Sequence, residues 1–278
     1  MVGRALVLGG GGVTGVAWEI GMLAGLAEAG VVLSTADLTV GTSAGSVVGA
    51  QVASGMAVED MYARQLAGPE AEAAARMGAA SMLRWVGAML TTRDPQRARA
   101  RIGRMALAAE TMPEAERRSV IESRLLVSEW PGCRLLITAV DAVSGEFRVF
   151  DRASGVRLVD AVGASCAVPG VWPPVTIDGR RWIDGGVRSA ANVDLAADCD
   201  RIVVLAPMTA GFGPLPSVAA QIRRLPSTAR VIVVSPDAAA KRAIGRNVLD
   251  PARRAASARA GRAQAGIAAP AVAEVWSA

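Results

Sequence analysis

The chain has 278 residues, of which 52% are hydrophobic, so it can bury a sizeable core. Its net charge of +5 comes almost wholly from arginine, because Lys241 is the only lysine and there is no histidine. The three widely spaced cysteines form no C-x-x-C pair, which together with the missing histidine argues against a metal site. We expect a cytoplasmic protein, because no signal peptide is evident.

The first third of the chain alternates between strand and helix patterns. Residues 5–8 predict a buried strand that runs into the glycine-rich turn GGGGVTG, and apolar residues at helical spacing follow as far as Gly30. Residues 38–42 predict a second strand, which leads through GTSAG into a helix of small residues at 44–53. This strand-helix-strand-helix order indicates a parallel sheet.

Residues 57–129 have a different character and predict several helices. Seven of the ten methionines lie between Met56 and Met112, with Trp85 and Met89 on one helical face and an arginine cluster at residues 93–104. Methionine adapts to irregular apolar surfaces, and arginine favours anionic lipid surfaces. We expect this insertion to form either a mobile cover that also contacts anionic membranes or an ordinary helical bundle.

The α/β pattern returns after the insertion. A helix is predicted to stop before Pro169, and Asp178 with Gly179 predicts the two-residue turn of a hairpin. From Pro251 the chain predicts a polar, alanine-rich helix, and we expect residues 1–278 to form a single domain. The other segments read as strands are residues 133–141, 145–151, 200–207 and 230–236.

The glycine-rich turn allows two interpretations. Gly10, Gly12 and Gly15 match G-x-G-x-x-G between a strand and a helix, where outward N–H groups favour negative charge. In a dinucleotide-binding oxidoreductase this charge is a pyrophosphate, and an acidic residue ends the next strand. In an acyl-transfer enzyme it is the oxyanion of a tetrahedral intermediate. Asp37 precedes the second strand instead of ending it, which counts against the dinucleotide interpretation.

The stretch GTSAG matches the G-x-S-x-G pattern of a nucleophile elbow. Ser43 stands between a predicted strand and a helix of small residues, as the crowded turn of an elbow requires. Gly41 and Gly45 flank it and leave room for that turn. The pattern predicts that Ser43 is a nucleophile, although a buried Gly-Ser turn without function has the same sequence.

The base for Ser43 is predicted by elimination. No histidine exists, and Lys241 lies in a polar segment near the carboxyl terminus. Asp184 ends a predicted strand and is followed by Gly185 and Gly186, which allow close packing against another loop. Burial in a cleft would raise the pKa of this carboxyl group above its reference value of ~3.9 and make it a better proton acceptor.

The motifs GGGGVTG, GTSAG and DGG, in this order and with ASCAVPGVWPP before the hairpin, resemble the patatin-like phospholipases. The resemblance implies a three-layer α/β/α fold with a mainly parallel central sheet. It implies Ser43 as nucleophile, Asp184 as general base and the N–H groups of Gly10, Gly11 and Gly12 as an oxyanion hole. Many members carry a basic residue where this chain has Thr14, so the resemblance does not extend to a charged contact there.

The resemblance implies a lipid acyl hydrolase that works through an acyl-serine intermediate and needs no cofactor. Its expected partner is a lipid ester, with no nucleic acid. Two other functions remain open, namely the dinucleotide-binding oxidoreductase and a catalytically inactive lipid-binding relative. The sequence does not predict the head group, the acyl chain or the oligomeric state.

Overall fold

The computed structural model describes residues 3–67, 75, 87, 92–211 and 213–277. A sheet of eight strands forms its centre. Hydrogen-bonded neighbours follow the path β5-β6-β3-β2-β1-β7-β8, and β4 pairs with β3 outside this path. The strands are β1 (Arg4–Leu8), β2 (Leu38–Gly41), β3 (Arg134–Asp141), β4 (Phe147–Phe150), β5 (Val175–Ile177), β6 (Arg180–Asp184), β7 (Arg201–Leu205) and β8 (Arg230–Val234).

Helices cover the sheet and link its strands. The α-helices in the described residues are α1 (Gly12–Glu28), α2 (Ala44–Ala53), α3 (Val58–Leu66), α4 (Pro95–Leu107), α5 (Glu114–Leu125), α6 (Leu158–Ser165), α7 (Val218–Ile222), α8 (Ala238–Ile244) and α9 (Arg254–Trp276).

The sheet is mainly parallel, as the strand-helix alternation predicted. The pairs β1–β2, β1–β7, β2–β3 and β7–β8 are all parallel. The antiparallel pairs lie at one side, where β4 and β6 pair with β3 and β5 pairs with β6. The carboxyl ends of β1 and β2 therefore lie side by side, and this brings the glycine-rich turn next to the GTSAG stretch.

Both faces of the sheet are buried. On β1, Leu6 and Leu8 pack into one apolar cluster with residues of α1 and α9. Ala5 and Val7 point to the other face, into a cluster with residues 191–206 and α7. Successive strand residues point to opposite faces, so buried residues at every position mean that structure covers the sheet on both sides. This arrangement confirms the predicted three-layer fold class.

Most predicted elements are present within a few residues of their predicted ends. The helix after the glycine turn begins at Gly12, earlier than its apolar spacing indicated, because the last glycines of the turn already belong to α1. Asp178 and Gly179 form the predicted hairpin turn, both with positive φ. Sequence patterns missed α7 and α8, which are only five and seven residues long.

The interpretation of the carboxyl-terminal segment as a polar helix is wrong for one of its faces. Helix α9 packs along α1, and a side chain at Gly21 or Gly261 would collide with the backbone of the other helix. Val272 and Trp276 are buried in the same apolar cluster. Alanine and glycine have small side chains, so they allow two helices to pack closely.

The predicted insertion at residues 57–129 contains α3, α4 and α5 in its described parts. Trp85 and Met89 lie outside the described residues. The cover and the single-domain organisation therefore stay predictions. Within the described ranges, no helix is long and apolar enough to cross a membrane.

Candidate active site

Ser43 lies on a strained turn between β2 and α2. Its φ is 53° and its ψ is −116°, a conformation that non-glycine residues rarely adopt. A Cβ at Gly45 would collide with the carbonyl group of Leu8, and one at Gly41 would lie 2.6 Å from the Cα of Ser46. The two motif glycines are therefore required by packing, and the local geometry is that of a nucleophile elbow.

Asp184 reaches Ser43 because β2 and β6 lie on the same edge of β3. Ile137 pairs with Gly41, whereas Ala139, two residues further along β3, pairs with Asp184. Both β3 residues also pair with β4, which occupies the other edge. The end of β6 therefore lies just beyond the end of β2, where the elbow begins.

The side chains of Ser43 and Asp184 form a direct hydrogen bond. Ser43 Oγ donates to Asp184 Oδ2 at 2.7 Å. The second carboxyl oxygen, Oδ1, accepts the N–H of Gly186 at 2.7 Å, which fixes the orientation of the carboxyl group. A side chain at Gly185 would collide with Thr138, so the tight approach of this loop to β3 requires glycine.

Burial changes the acidity of Asp184. Its side chain is 5% exposed, and loss of water raises its pKa to about 6. The hydrogen bonds from Ser43 and from the Gly186 N–H oppose this rise, but desolvation is the larger effect. A carboxylate with this pKa is ionised at neutral pH and accepts a proton more readily than an exposed aspartate.

The end of α6 holds the backbone of Ser43, a feature that sequence reasoning missed. The buried Ser165 Oγ accepts the N–H of Ser43 at 2.9 Å, and Cys166 Sγ donates to the carbonyl of Ser43 at 3.3 Å. Ser46 Oγ donates to the same carbonyl at 2.6 Å. These bonds satisfy the polar groups of a strained, buried residue. The stretch ASCAVPG was noted in the sequence, but no local pattern connects it with residue 43.

Asn192 forms a second support that the sequence did not reveal. It is fully buried with φ 52°, and its Nδ2 donates to Thr42 Oγ1 at 3.0 Å and to the carbonyl of Ser189 at 3.1 Å. Its Oδ1 accepts from Arg188 Nη1 at 2.8 Å. The amide therefore joins the segment after Asp184 to the residue that precedes Ser43.

The glycine-rich turn lies beside Ser43, but only some of its N–H groups already donate to an acceptor in the protein. The N–H of Gly10 donates to the carbonyl of Ala190 at 2.7 Å, so it is already engaged. The N–H groups of Gly11 and Gly12 have no acceptor among the described residues, as expected where a helix begins. The same holds for the N–H of Ala44, the residue after Ser43. The oxyanion hole predicted from the sequence therefore lacks a free donor at Gly10.

Gly15 and Thr14 complete this turn, and both make contacts within the fold. The N–H of Gly15 donates to the carbonyl of Gly11 at 2.8 Å, and a Cβ at Gly15 would lie 3.3 Å from Pro207. Thr14 is fully buried, and its hydroxyl donates to the carbonyl of Val248 at 3.1 Å. Thr14 therefore serves packing in this chain.

A cavity of about 240 Å³ opens onto Ser43. Its walls combine apolar side chains with arginines and two glutamines. Its described lining residues include Ser43, Arg64, Arg117, Cys166, Trp172 and Arg254. An apolar cavity with a few polar groups next to a buried serine has the form of a small-molecule binding site.

Metal ligation and a lysine base find no support in the described residues. No group of three or more histidine, cysteine, aspartate or glutamate side chains among them could hold a metal ion. Lys241 lies on α8 and is exposed, and it is not among the described residues that line the cavity.

A comparison with known families identifies the chain. The model of the patatin-like phospholipase family matches residues 6–197, which is well over half of the sequence and includes the glycine-rich turn, Ser43 and Asp184. The chain belongs to the patatin-like phospholipase family. This membership confirms the resemblance seen in the motifs, supports a lipid-ester hydrolase, and counts against the dinucleotide-binding oxidoreductase.

Two solved structures resemble the chain at low sequence identity. VipD from Legionella pneumophila matches 98% of this chain and 67% of its own, with a TM-score of 0.50 and 13% identity. The type III effector protein ExoU matches 98% of this chain and 53% of its own, with a TM-score of 0.41 and 14% identity. The likeness to VipD supports the fold alone. No curated protein matches the chain.

Proposed function

We propose that this patatin-like protein hydrolyses acyl esters of lipids through an acyl-serine intermediate. The observation that carries the proposal is the 2.7 Å hydrogen bond from Ser43 Oγ to the buried carboxylate of Asp184, on a serine with the backbone strain of an elbow. In this proposal Ser43 is the nucleophile and Asp184 is the general base.

The proposed reaction uses Asp184 twice. Ser43 Oγ attacks the ester carbonyl while its proton moves to Asp184 Oδ2, and the protonated carboxyl group then gives this proton to the departing alcohol. A water molecule next gives a proton to Asp184 and attacks the acyl-Ser43 ester. Collapse of the second intermediate releases the fatty acid, and Ser43 regains its proton from Asp184.

The oxyanion of each tetrahedral intermediate needs N–H donors next to Ser43. We assign this role to Gly11, Gly12 and Ala44, whose N–H groups have no acceptor in the described residues. Gly12 and Ala44 also line the cavity together with Ser43. Gly10, which was also part of the predicted hole, is left out because its N–H already donates to the carbonyl of Ala190. Gly12 also lies at the start of α1, where the helix dipole favours negative charge.

A fluorophosphonate probe tests the nucleophile. We expect the purified protein to be labelled and to release fatty acid from lipid esters, and Ser43→Ala to remove both properties. Ser54→Ala is the matched control, because Ser54 is exposed at the other end of α2. Circular dichroism and thermal unfolding should be the same for both variants. Labelling that persists in Ser43→Ala would reject Ser43 as the nucleophile.

The same experiment distinguishes the proposed hydrolase from the remaining alternative function. A catalytically inactive lipid-binding relative would neither react with the probe nor release fatty acid, although it would still bind lipid. We expect labelling of the wild-type protein with a stoichiometry of one probe per chain, and mass spectrometry of the labelled peptide to place the adduct on Ser43.

A further inference from the structure

A second cavity lies on the other side of the sheet from Ser43. It has a volume of about 590 Å³, and no described residue lines both cavities. Its wall includes Leu215, which shares an apolar cluster with Ile183 of β6. The neighbouring Trp182 belongs to a different cluster, together with Val47 of the first cavity. Because successive strand residues point to opposite faces, the sheet separates this second cavity from the nucleophile.

Three of the described residues that line the second cavity are arginines. They are Arg99 on α4, Arg188 in the segment after β6, and Arg224 just beyond α7. None of the described lining residues is an aspartate or a glutamate. Asp194 forms an ion pair with Arg188 from behind the wall, whereas neither Arg99 nor Arg224 has an ion pair among the described residues.

Arg188 is held firmly and still has free donors. Its guanidinium carbon lies 4.1 Å from the centre of the Phe147 ring. Its Nη1 donates to Asn192 Oδ1 at 2.8 Å and to Asp194 Oδ1 at 2.9 Å, and its Nη2 donates to Asp194 Oδ2. The Nε–H and the second N–H of Nη2 have no acceptor among the described residues. These two groups form one edge of the planar guanidinium, the arrangement that binds two oxygens of one phosphate.

Arg99 lies close enough to Arg188 for their charges to repel. Burial, and secondly the charge of Arg188, lower the pKa of Arg99, while the charge of Asp94 opposes this change. Asp94 itself pairs with Arg97. The Nε of Arg99 donates to the carbonyl of Gly145 at 2.7 Å, and its Nη groups have no acceptor among the described residues. An anion bound between two such guanidinium groups would attract both and offset their repulsion.

The charge balance of the cavity indicates the class of anion. Asp194 balances the charge of Arg188, so Arg99 and Arg224 supply two unbalanced positive charges. A phosphate monoester carries a charge of about −1.5 to −2 at pH 7, whereas a carboxylate carries a single charge. The volume of the cavity falls within the range of small-molecule sites and leaves room for the group that bears the phosphate.

We propose that the second cavity binds phosphate monoesters through Arg99, Arg188 and Arg224, at a site separate from the one that holds the ester. The inference goes beyond the proposed function and does not depend on it, because no side chain of the Ser43 cavity takes part. Its failure would leave the proposed hydrolase intact, and failure of the hydrolase would leave this binding site intact.

The test is isothermal titration calorimetry of the wild-type protein with inorganic phosphate, at pH 8 and low salt. We expect binding that Arg224→Gln weakens by roughly tenfold, as for loss of a hydrogen bond to a charged group. The double variant Arg99→Gln, Arg224→Gln should bind more weakly still. Acetate should bind the wild-type protein more weakly than phosphate, because it carries only one charge.

Arg223→Gln is the matched control. Arg223 is the residue before Arg224 and is exposed, but it is not among the described residues that line the cavity. This variant removes the same charge from the same turn, so it should bind phosphate as tightly as the wild-type protein.

Two further ligands distinguish a soluble phosphate monoester from a lipid head group. In the Ser43→Ala protein, glycerol phosphate is titrated, and flotation is measured with vesicles of phosphatidylcholine and phosphatidic acid. Binding of glycerol phosphate that depends on Arg224, with flotation that does not, would identify a soluble ligand. Flotation that Arg224→Gln weakens and Arg223→Gln leaves unchanged would identify a lipid head group. Either pattern supports the site.

Three results would overturn the inference. The first is a wild-type protein that does not bind phosphate at millimolar concentrations. The second is equal phosphate affinity of folded Arg224→Gln and Arg223→Gln, and the third is acetate bound as tightly as phosphate. If circular dichroism shows that Arg224→Gln does not fold, Arg99→Gln is compared with Arg97→Gln on the same helix, and equal affinity of these two would again reject the site.

Discussion

Asp184 is buried against Ser43 and has a pKa raised to about 6. In the proposed mechanism the ionised form accepts the Ser43 proton, whereas burial favours the protonated form. The catalytic requirement and the stability of the fold therefore oppose each other at one carboxyl group. Activity and unfolding should both depend on pH through this residue, in directions that follow from the raised pKa.

Activity should fall as the pH drops through about 6, because protonated Asp184 cannot accept the proton of Ser43. The acid limb of kcat/KM measured on a water-soluble ester reports this pKa in the free enzyme. Since the chain has no histidine, the limb cannot come from an imidazole. Asp184→Asn should remove turnover at every pH, and near-normal turnover with the same acid limb would assign the base to another group.

Asp184→Asn should also stabilise the fold at neutral pH. A folded-state pKa of about 6 lies above the unfolded value of ~3.9, so the folded protein binds the extra proton between these values and loses stability as the pH rises through that window. The full cost above pH ~6 is at most about 3 kcal/mol, from a shift of ~2 pKa units.

The measurement is urea unfolding of both proteins at pH 4 and pH 8. The variant should exceed the wild-type protein in free energy of unfolding at pH 8, and the difference should shrink at pH 4. Asparagine can still accept the Gly186 N–H and donate to Ser43 Oγ, so the local hydrogen bonds have counterparts in the variant. The stability difference is the free energy of unfolding of Asp184→Asn minus that of the wild-type protein. A difference that is smaller at pH 8 than at pH 4 would contradict the assigned cost of burial.

At the scale of elements, the start of α1 has to combine close packing with free N–H groups. A Cβ at Gly11 would lie 2.5 Å from the Cβ of Pro207, so Gly11→Ala should shift the turn and move its N–H group. We expect turnover to fall by roughly a hundredfold, the usual effect of losing one oxyanion donor. The measurement is the rate of ester hydrolysis and the rate of fluorophosphonate labelling.

Gly163→Ala provides the steric control for that variant. Gly163 lies on α6 near the site, but an added Cβ there makes only an ordinary contact, at 3.6 Å from Val175. This control should keep nearly wild-type rates. A Gly11→Ala variant with unchanged turnover would remove Gly11 from the proposed oxyanion hole.

At the scale of the whole molecule, the arginine cluster predicted to meet lipid lies partly on one exposed face. Arg97, Arg101 and Arg104 share one face of α4 at spacings of four and three residues, and Arg97 and Arg104 are exposed. Arg262 on α9 instead binds Glu28 and Glu59, and so ties α9 to α1 and α3. The α4 face is the better candidate for an anionic surface.

We expect the protein to float with anionic vesicles at low salt and to be released at high salt, because exposed charges are screened. The double variant Arg97→Gln, Arg104→Gln should bind more weakly, whereas Arg152→Gln, which removes an exposed arginine elsewhere, should not change binding. Absence of binding to anionic vesicles at low salt would reject the predicted membrane contact. The cytoplasmic location also stays a prediction.

The sequence by itself determined the elements whose signals are local. Short apolar runs predicted the strands, Asp178 and Gly179 predicted the hairpin, and GTSAG predicted the elbow, because each signal depends on neighbours in the chain. The lack of histidine and the strand-end position of Asp184 were enough to predict an aspartate base. The short helices α7 and α8 were missed because five to seven residues carry too little periodicity.

Only the tertiary structure decided how distant residues meet. Asp184 lies beside Ser43 because β2 and β6 share one edge of β3, a register that no local pattern contains. Ser165 and Asn192 support the site through contacts made 122 and 150 residues apart along the chain. The engagement of the Gly10 N–H by Ala190 likewise depends on packing. Sequence patterns report which residues are apolar, small or acidic, whereas hydrogen-bond partners and burial are set by the complete fold.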